Sequence, residues 1–204
     1  MSDPDRSGGR LSVRLAQLVV SCALLGAGVA LLLDARLGSD GYSMLISGLS
    51  IATQVEFAIV NVVVGVLLVL MAWWRGRRPG LGTLIQPAVV GVVVSVMLTV
   101  LPGPASYVGR GTELALGFVV LCVGVAGYLA VDLGAGPAEG AALAWDPPVP
   151  FKWSYSLVQL VGAVVGWLLG ASLGPGTLLV ILLIGPCVDM LMPLLGRRPA
   201  ATIG

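Results

Sequence analysis

Between Val13 and Leu195 the chain is a succession of apolar runs, several of them about 20 residues long, and that length decides what it can become. An apolar helix of that size crosses a hydrocarbon core of about 30 Å, and helices satisfy their own backbone polar groups where no water is at hand. Composition agrees: 57% of residues are hydrophobic, 10% are charged, and mean hydropathy is +1.02. The runs place spans at about 13–33, 55–74, 81–101, 114–131, 154–169 and 177–195. Two weaker stretches, 42–53 and 138–145, are too short to cross and read as re-entrant or interfacial helices.

One string appears twice. Pro79-Gly80-Leu81-Gly82-Thr83-Leu84 opens an apolar run containing Gly91, and Gly174-Pro175-Gly176-Thr177-Leu178 opens another containing Gly185. The Gly-Thr pairs lie 94 positions apart. Leu37-Gly38 and Leu133-Gly134 repeat at nearly the same offset, and Gly65 matches Gly162. The unit is therefore span, loop helix, span, span. Three crossings per unit make an odd number, so the second copy enters the membrane upside down. The expected fold is an all-α membrane protein of six transmembrane helices in two inverted three-helix repeats. Its parts are a disordered cytoplasmic N-terminus (1–12), a first repeat (13–101), a linker (102–113), a second repeat (114–195) and a cytoplasmic tail (196–204).

Charge placement orients this plan. With the N-terminus inside, Arg6, Arg10, Arg14, Arg75, Arg77, Arg78, Lys152, Arg197 and Arg198 face the cytoplasm, and Arg36 and Arg110 face outward. The Trp73-Trp74 pair before Arg75 marks a membrane interface. The polar N-terminus and the lack of a small-residue cleavage site after the first run read as a retained first span.

Polar residues within or beside the spans are the candidates for a substrate or ion site: Asp40, Glu56, Asn61, Gln86, Glu139, Gln159 and Asp189. Carboxylates at depth are expensive and need a partner or a watery cavity. By position Asp189 and Glu56 are the carboxylates suited to proton coupling, although Glu56 also suits a helix N-terminus. Amides such as Asn61, Gln86 and Gln159 often join helices together. Gly82, Thr83, Gly91, Gly176, Thr177 and Gly185 read as close-packing positions, or as helix starts offering N–H groups to an anion.

Other chemistries find no support. Histidine is absent, and Cys22, Cys122 and Cys187 sit in apolar runs without ligand spacing, as packing thiols do. No phosphate loop, zinc motif or clustered carboxylates occur, so no enzyme activity, cofactor, metal or nucleic-acid partner is expected.

The order of a Leu-Gly loop, a short helix and two spans joined by Pro79-Gly80-Leu81-Gly82-Thr83, together with Gly134-Ala135-Gly136-Pro137 and Gly174-Pro175-Gly176-Thr177…Ile184-Gly185-Pro186, resembles the YczE-like group of YitT-type bacterial membrane proteins. The resemblance runs from about Val13 to Leu195. It departs at Ser39-Asp40-Gly41-Tyr42, where members commonly show a Gly-Pro-Trp-like run. Lys152–Gln159 also lacks the arginine and glutamate usual near the start of that span. The resemblance implies an integral membrane protein, and some members are linked to the regulation of secondary metabolite production.

Together these features point to a multi-pass protein of the bacterial inner membrane with both termini cytoplasmic. Its expected role is a small secondary transporter or exporter of a small solute. The alternative is a membrane-embedded regulatory or scaffold protein acting through a protein partner. The bilayer is its surroundings, and homo-oligomerisation stays open.

Overall fold

The computed structural model describes residues 4–55 and 57–195. Eight helices and no strand are present among them: α1 (Pro4–Ala35), α2 (Gly41–Thr53), α3 (Phe57–Trp74), α4 (Leu81–Val100), α5 (Tyr107–Ala130), α6 (Pro137–Leu143), α7 (Phe151–Leu168) and α8 (Pro175–Leu195). Four are long and apolar enough to cross a membrane, over Leu11–Ala35, Leu81–Val100, Tyr107–Ala130 and Pro175–Leu195. The 18-residue helices α3 and α7 are shorter, and Ile59–Trp74 of α3 is apolar apart from Asn61. Outward faces carry Val62, Leu67, Val92, Val96, Val164 and Leu182, all exposed, which suits contact with lipid tails.

Two boundaries differ from the sequence expectation. Residues 4–12, expected to be disordered, continue α1 as helix, since extending a formed helix needs no new nucleus. Residues 107–113, expected as linker, belong to α5, whose first turn is capped by Ser106 accepting the Gly109 N–H at 3.0 Å. The tail at 196–204 lies outside the described residues.

The antiparallel pair α1/α5 forms the centre. A side-chain carbon on Gly28 would sit 2.5 Å from the Leu121 nitrogen, and one on Gly117 would sit 2.8 Å from Leu31 Cβ. A carbon on Gly124 would collide with the Leu25 backbone. Glycines thus let the two backbones touch, as small residues do where helices pack without a hydrophobic drive. Around this pair α4 runs parallel to α1, with Gly26 beside Val90 and Val93 and Asp34 beside Gly103. Likewise α8 runs parallel to α5, with Leu114 beside Gly176 and Gly127 beside Leu195.

The duplicated string makes reciprocal clasps between the halves. Leu133 O accepts the Gly82 N–H at 2.7 Å, and Leu37 O accepts the Gly176 N–H at 2.8 Å. Each carbonyl precedes a glycine in the left-handed region, Gly38 at φ +105° and Gly134 at φ +113°. These two must be glycine on a second count: a carbon on Gly38 would meet Thr177 Oγ1 at 2.5 Å, and one on Gly134 would meet Gly80 N at 2.8 Å.

The short helices are exchanged in the same sense. α2 lies along α7 from Gln159 to Gly166 and on to Gly170 beyond its end, and α6 lies along α3 from Gly65 to Ala72. The packing stripe expected through Gly91 does not form. Val90 and Val93 face Gly26 of α1, so Gly91 points away, and a Cβ there would find nothing within 4 Å. Its counterpart Gly185 packs on the Lys152 carbonyl. Cys22 and Cys122 are buried and Cys187 is half-buried, all as free thiols.

Replacing Gly117 or Gly124 by Leu should force α1 and α5 apart. A loss of at least the 1–3 kcal/mol typical of overpacking is expected, read as a lower midpoint of thermal unfolding in detergent. Gly91→Ala should be neutral, or stabilising by up to about 1 kcal/mol through helix propensity.

Candidate functional site

The starts of α2 and α6 meet in the interior. Gly65 of α3 leaves room for both, with the Tyr42 hydroxyl and the Pro137 ring each 3.5 Å from where its Cβ would be. α2 starts because Asp40 caps it, its Oδ2 accepting the Ser43 N–H at 3.0 Å. Gly136 precedes α6, with Pro137 in its first turn, where a missing N–H does no harm.

A continuous polar cluster fills the meeting point. The Tyr42 hydroxyl donates to Asn61 Oδ1 at 2.7 Å, and the Tyr42 backbone N–H donates to Gln159 Oε1 at 3.1 Å. Gln159 is also in hydrogen-bond contact with Tyr155. The Tyr155 hydroxyl donates to Glu139 Oε1 at 2.8 Å. Tyr128 also reaches Glu139, and its hydroxyl accepts the Gly136 N–H at 3.2 Å. Gln86 of α4 closes the cluster: its Oε1 and Glu139 Oε2 lie 2.7 and 2.8 Å from the position a Cβ on Gly136 would take. Glu139 is 5% exposed, Asp40 8% and Gln86 8%. Asp40 Oδ1 and Gln86 Oε1 are buried with no hydrogen-bond partner.

One face of the cluster borders a cavity. About 870 Å³ of open space lies between Val69 and Ala72 of α3, the turn from Arg75 to Gly80, Thr83 of α4, and Leu133–Gly136. Gly136 belongs both to this cavity's wall and to the cradle of Gln86 and Glu139. Arginines line the mouth. Arg75 stacks its guanidinium 4.3 Å over the Trp145 ring and donates to the Ala144 carbonyl at 3.3 Å. Arg77 donates to the carbonyls of Leu143 and Asp146, both at 3.1 Å, holding the end of α6. Arg78 is exposed at the rim. Arg14 joins this end, donating to Val131 O at 2.7 Å and Asp132 O at 3.0 Å.

The corresponding region of the other half is tight. Gly41 and Gly162 bring the backbones of α2 and α7 into contact, Gly166 does the same against Met44, and Gly185 seats α8 on α7. Thr177, fully buried, donates to Met44 Sδ at 3.4 Å. One region is therefore closed by backbone contact and the other borders a cavity.

Of the residues singled out from sequence, the structure brings together Asp40, Asn61, Gln86, Glu139 and Gln159. Asp189 stays apart, half-buried on α8, and makes no hydrogen bond or ion pair with the described residues. Glu56 lies outside the described residues. Gly82, Thr83, Gly176 and Thr177 belong to the clasps. Sequence reasoning missed Tyr42, Tyr128 and Tyr155; a tyrosine within a helix bound for the interior needs a partner for its hydroxyl, and that was the available signal.

These features define an all-helical membrane protein with a polar cluster sealed among apolar helices. Residues 12–193 match the family of unknown function DUF6198, and the chain belongs to that family. An uncharacterized protein of Haemophilus influenzae is 26% identical over 184 residues, covering 89% of this chain and 84% of that protein. The uncharacterized membrane protein YczE of Bacillus subtilis is 26% identical over 136 residues, covering 65% of this chain and 63% of YczE. The family is thus YczE-like, and its setting is the lipid bilayer. No solved structure matches the chain.

Tyr155→Phe removes a buried hydroxyl from Glu139 and should destabilise the protein by about 1–3 kcal/mol. Asp189→Asn should change stability by no more than about 0.5 kcal/mol. Thermal unfolding of the two purified variants beside wild type checks both.

Proposed function

We propose that the protein is a small secondary transporter of the bacterial inner membrane, built as six spans in two inverted three-span repeats with α2 and α6 as re-entrant helices. The antiparallel α1/α5 pair, the reciprocal clasps and the exchanged packing of α2 on α7 and α6 on α3 support the inverted repeat. Arg14, Arg75, Arg77 and Arg78 gather at one end, which supports placing that end in the cytoplasm.

One observation carries the transport reading. A cavity from the arginine-lined end reaches Gly136, behind which the buried polar cluster begins, while the matching region of the other half is sealed. Two copies of one unit in different states of closure are what alternating access requires. Exchange of the two states would pull α7 from α2 and α8 and open the opposite end, while α3 closes on α6 and α4. The solute is small and polar, since the cluster offers amides, hydroxyls and carboxyl groups.

The test combines flux with accessibility. Reconstituted protein should accumulate or release at least one solute from a panel of labelled metabolites. Ala72→Cys should react with a membrane-impermeant thiol reagent from the arginine-rich side only, and reaction should lower that flux at least tenfold. No flux for any solute, with a stoichiometric protein partner co-purifying, would instead favour the regulatory reading.

A further inference from the structure

We infer that Glu139 is a proton-binding site: it holds a proton when the cluster is sealed and exchanges it with water in the arginine-lined cavity past Gly136. This deepens the transporter reading, on which a coupling role for that proton rests; the binding itself does not depend on it.

The inference follows from counting donors against acceptors. Glu139 and Asp40 are two buried carboxyl groups, and no lysine or arginine side chain contacts either among the described residues. The groups facing Glu139 are Tyr128 from α5, Tyr155 from α7, Tyr42 and Asp40 at the start of α2, Cys22 from α1, and the neutral Gln86 from α4. None carries positive charge. An uncompensated buried carboxylate is expensive enough that it takes up a proton or a cation.

The local geometry points the same way. Gln86 Oε1 is buried, has no donor, and converges with Glu139 Oε2 on the single point above Gly136. Gln86 Oε1 thus lacks a donor on the side of Gly136 that Glu139 Oε2 also faces. The donors nearby are already engaged: Tyr42 O–H by Asn61, Tyr42 N–H by Gln159, and Gly136 N–H by Tyr128. Glu139 can supply the missing donor by being a carboxylic acid. Glu139 Oε1 takes the Tyr155 hydroxyl, and Oε2 faces Gly136 at the cavity wall. On release, the Glu139 O–H bond breaks, the proton passes to cavity water, and a carboxylate remains, steadied by Tyr128 and Tyr155.

Thermal unfolding of the purified protein in detergent, from pH 5 to 9 with and without sodium, tests this without requiring transport. The folded protein keeps a proton that the unfolded chain releases, so stability should fall as pH rises. The effect on the unfolding constant should approach tenfold per pH unit for one proton. Glu139→Gln should flatten that slope, and Asp189→Asn, apart from the cluster on α8, should not. Infrared difference spectra of wild type on raising the pH should lose the carbonyl band of a buried carboxylic acid, a readout that needs no variant to fold. Equal slopes in wild type and Glu139→Gln overturn the inference, as does a sodium response at constant pH that Glu139→Gln abolishes. Proton binding without flux would remove the transporter reading and leave the site standing.

Discussion

The structure depends on close approach of backbones in a chain with few charges to hold it. Leu37 O to Gly176 N–H and Leu133 O to Gly82 N–H tie the end of the first helix in each half to the start of the last helix in the other. Such bonds are short-range and directional, so they fix how the halves sit. They exist because glycine occupies both sides: Gly38 and Gly134 adopt φ beyond +100°, and Gly174 and Gly80 admit the incoming carbonyls. In lipid, where burial of apolar surface between helices gains little, this contact geometry has to do what a hydrophobic core does in water.

From that frame the polar interior follows. Once the loops after α1 and α5 are clasped, α2 and α6 can only start inside the molecule, each against the other half's helix. Their starts bring Asp40, Tyr42, Gly136 and Glu139 to the same depth as Asn61, Gln86 and Gln159. The cluster is thus a consequence of the clasps and not an independent feature. Its unpaired oxygens on Asp40 and Gln86 mark it as a place where a charge or a ligand is expected, since buried polar atoms elsewhere in folded proteins are almost always paired.

The two regions that begin with the repeated string differ in packing. Gly91 and Gly185 stand at matching positions, yet Gly185 seats α8 on α7 while Gly91 faces outward. The sequence alone made them equivalent packing residues, because repeated strings say nothing of conformational state. The same blindness explains Asp189. Its position in an apolar run marked it as costly and therefore interesting, but helix rotation turned it away from the cluster. Glu139 looked like the lesser candidate because it stood at the start of a helix too short to cross, and only the inward path of α6 buried it. Tyr128 and Tyr155 drew no notice, since a phenol reveals its polar role only when its partner is seen.

What the sequence determined by itself is the class and the double occurrence of the Gly-Thr string. Apolar runs of membrane-spanning length leave the backbone no alternative to helix, and glycine spacing is legible because only glycine tolerates such contacts. The tertiary structure decided which backbones touch, which polar side chains converge on Gly136, and which half is open. Those choices rest on helix rotation and loop path, which differ by small energies and leave no periodicity in the chain to be read.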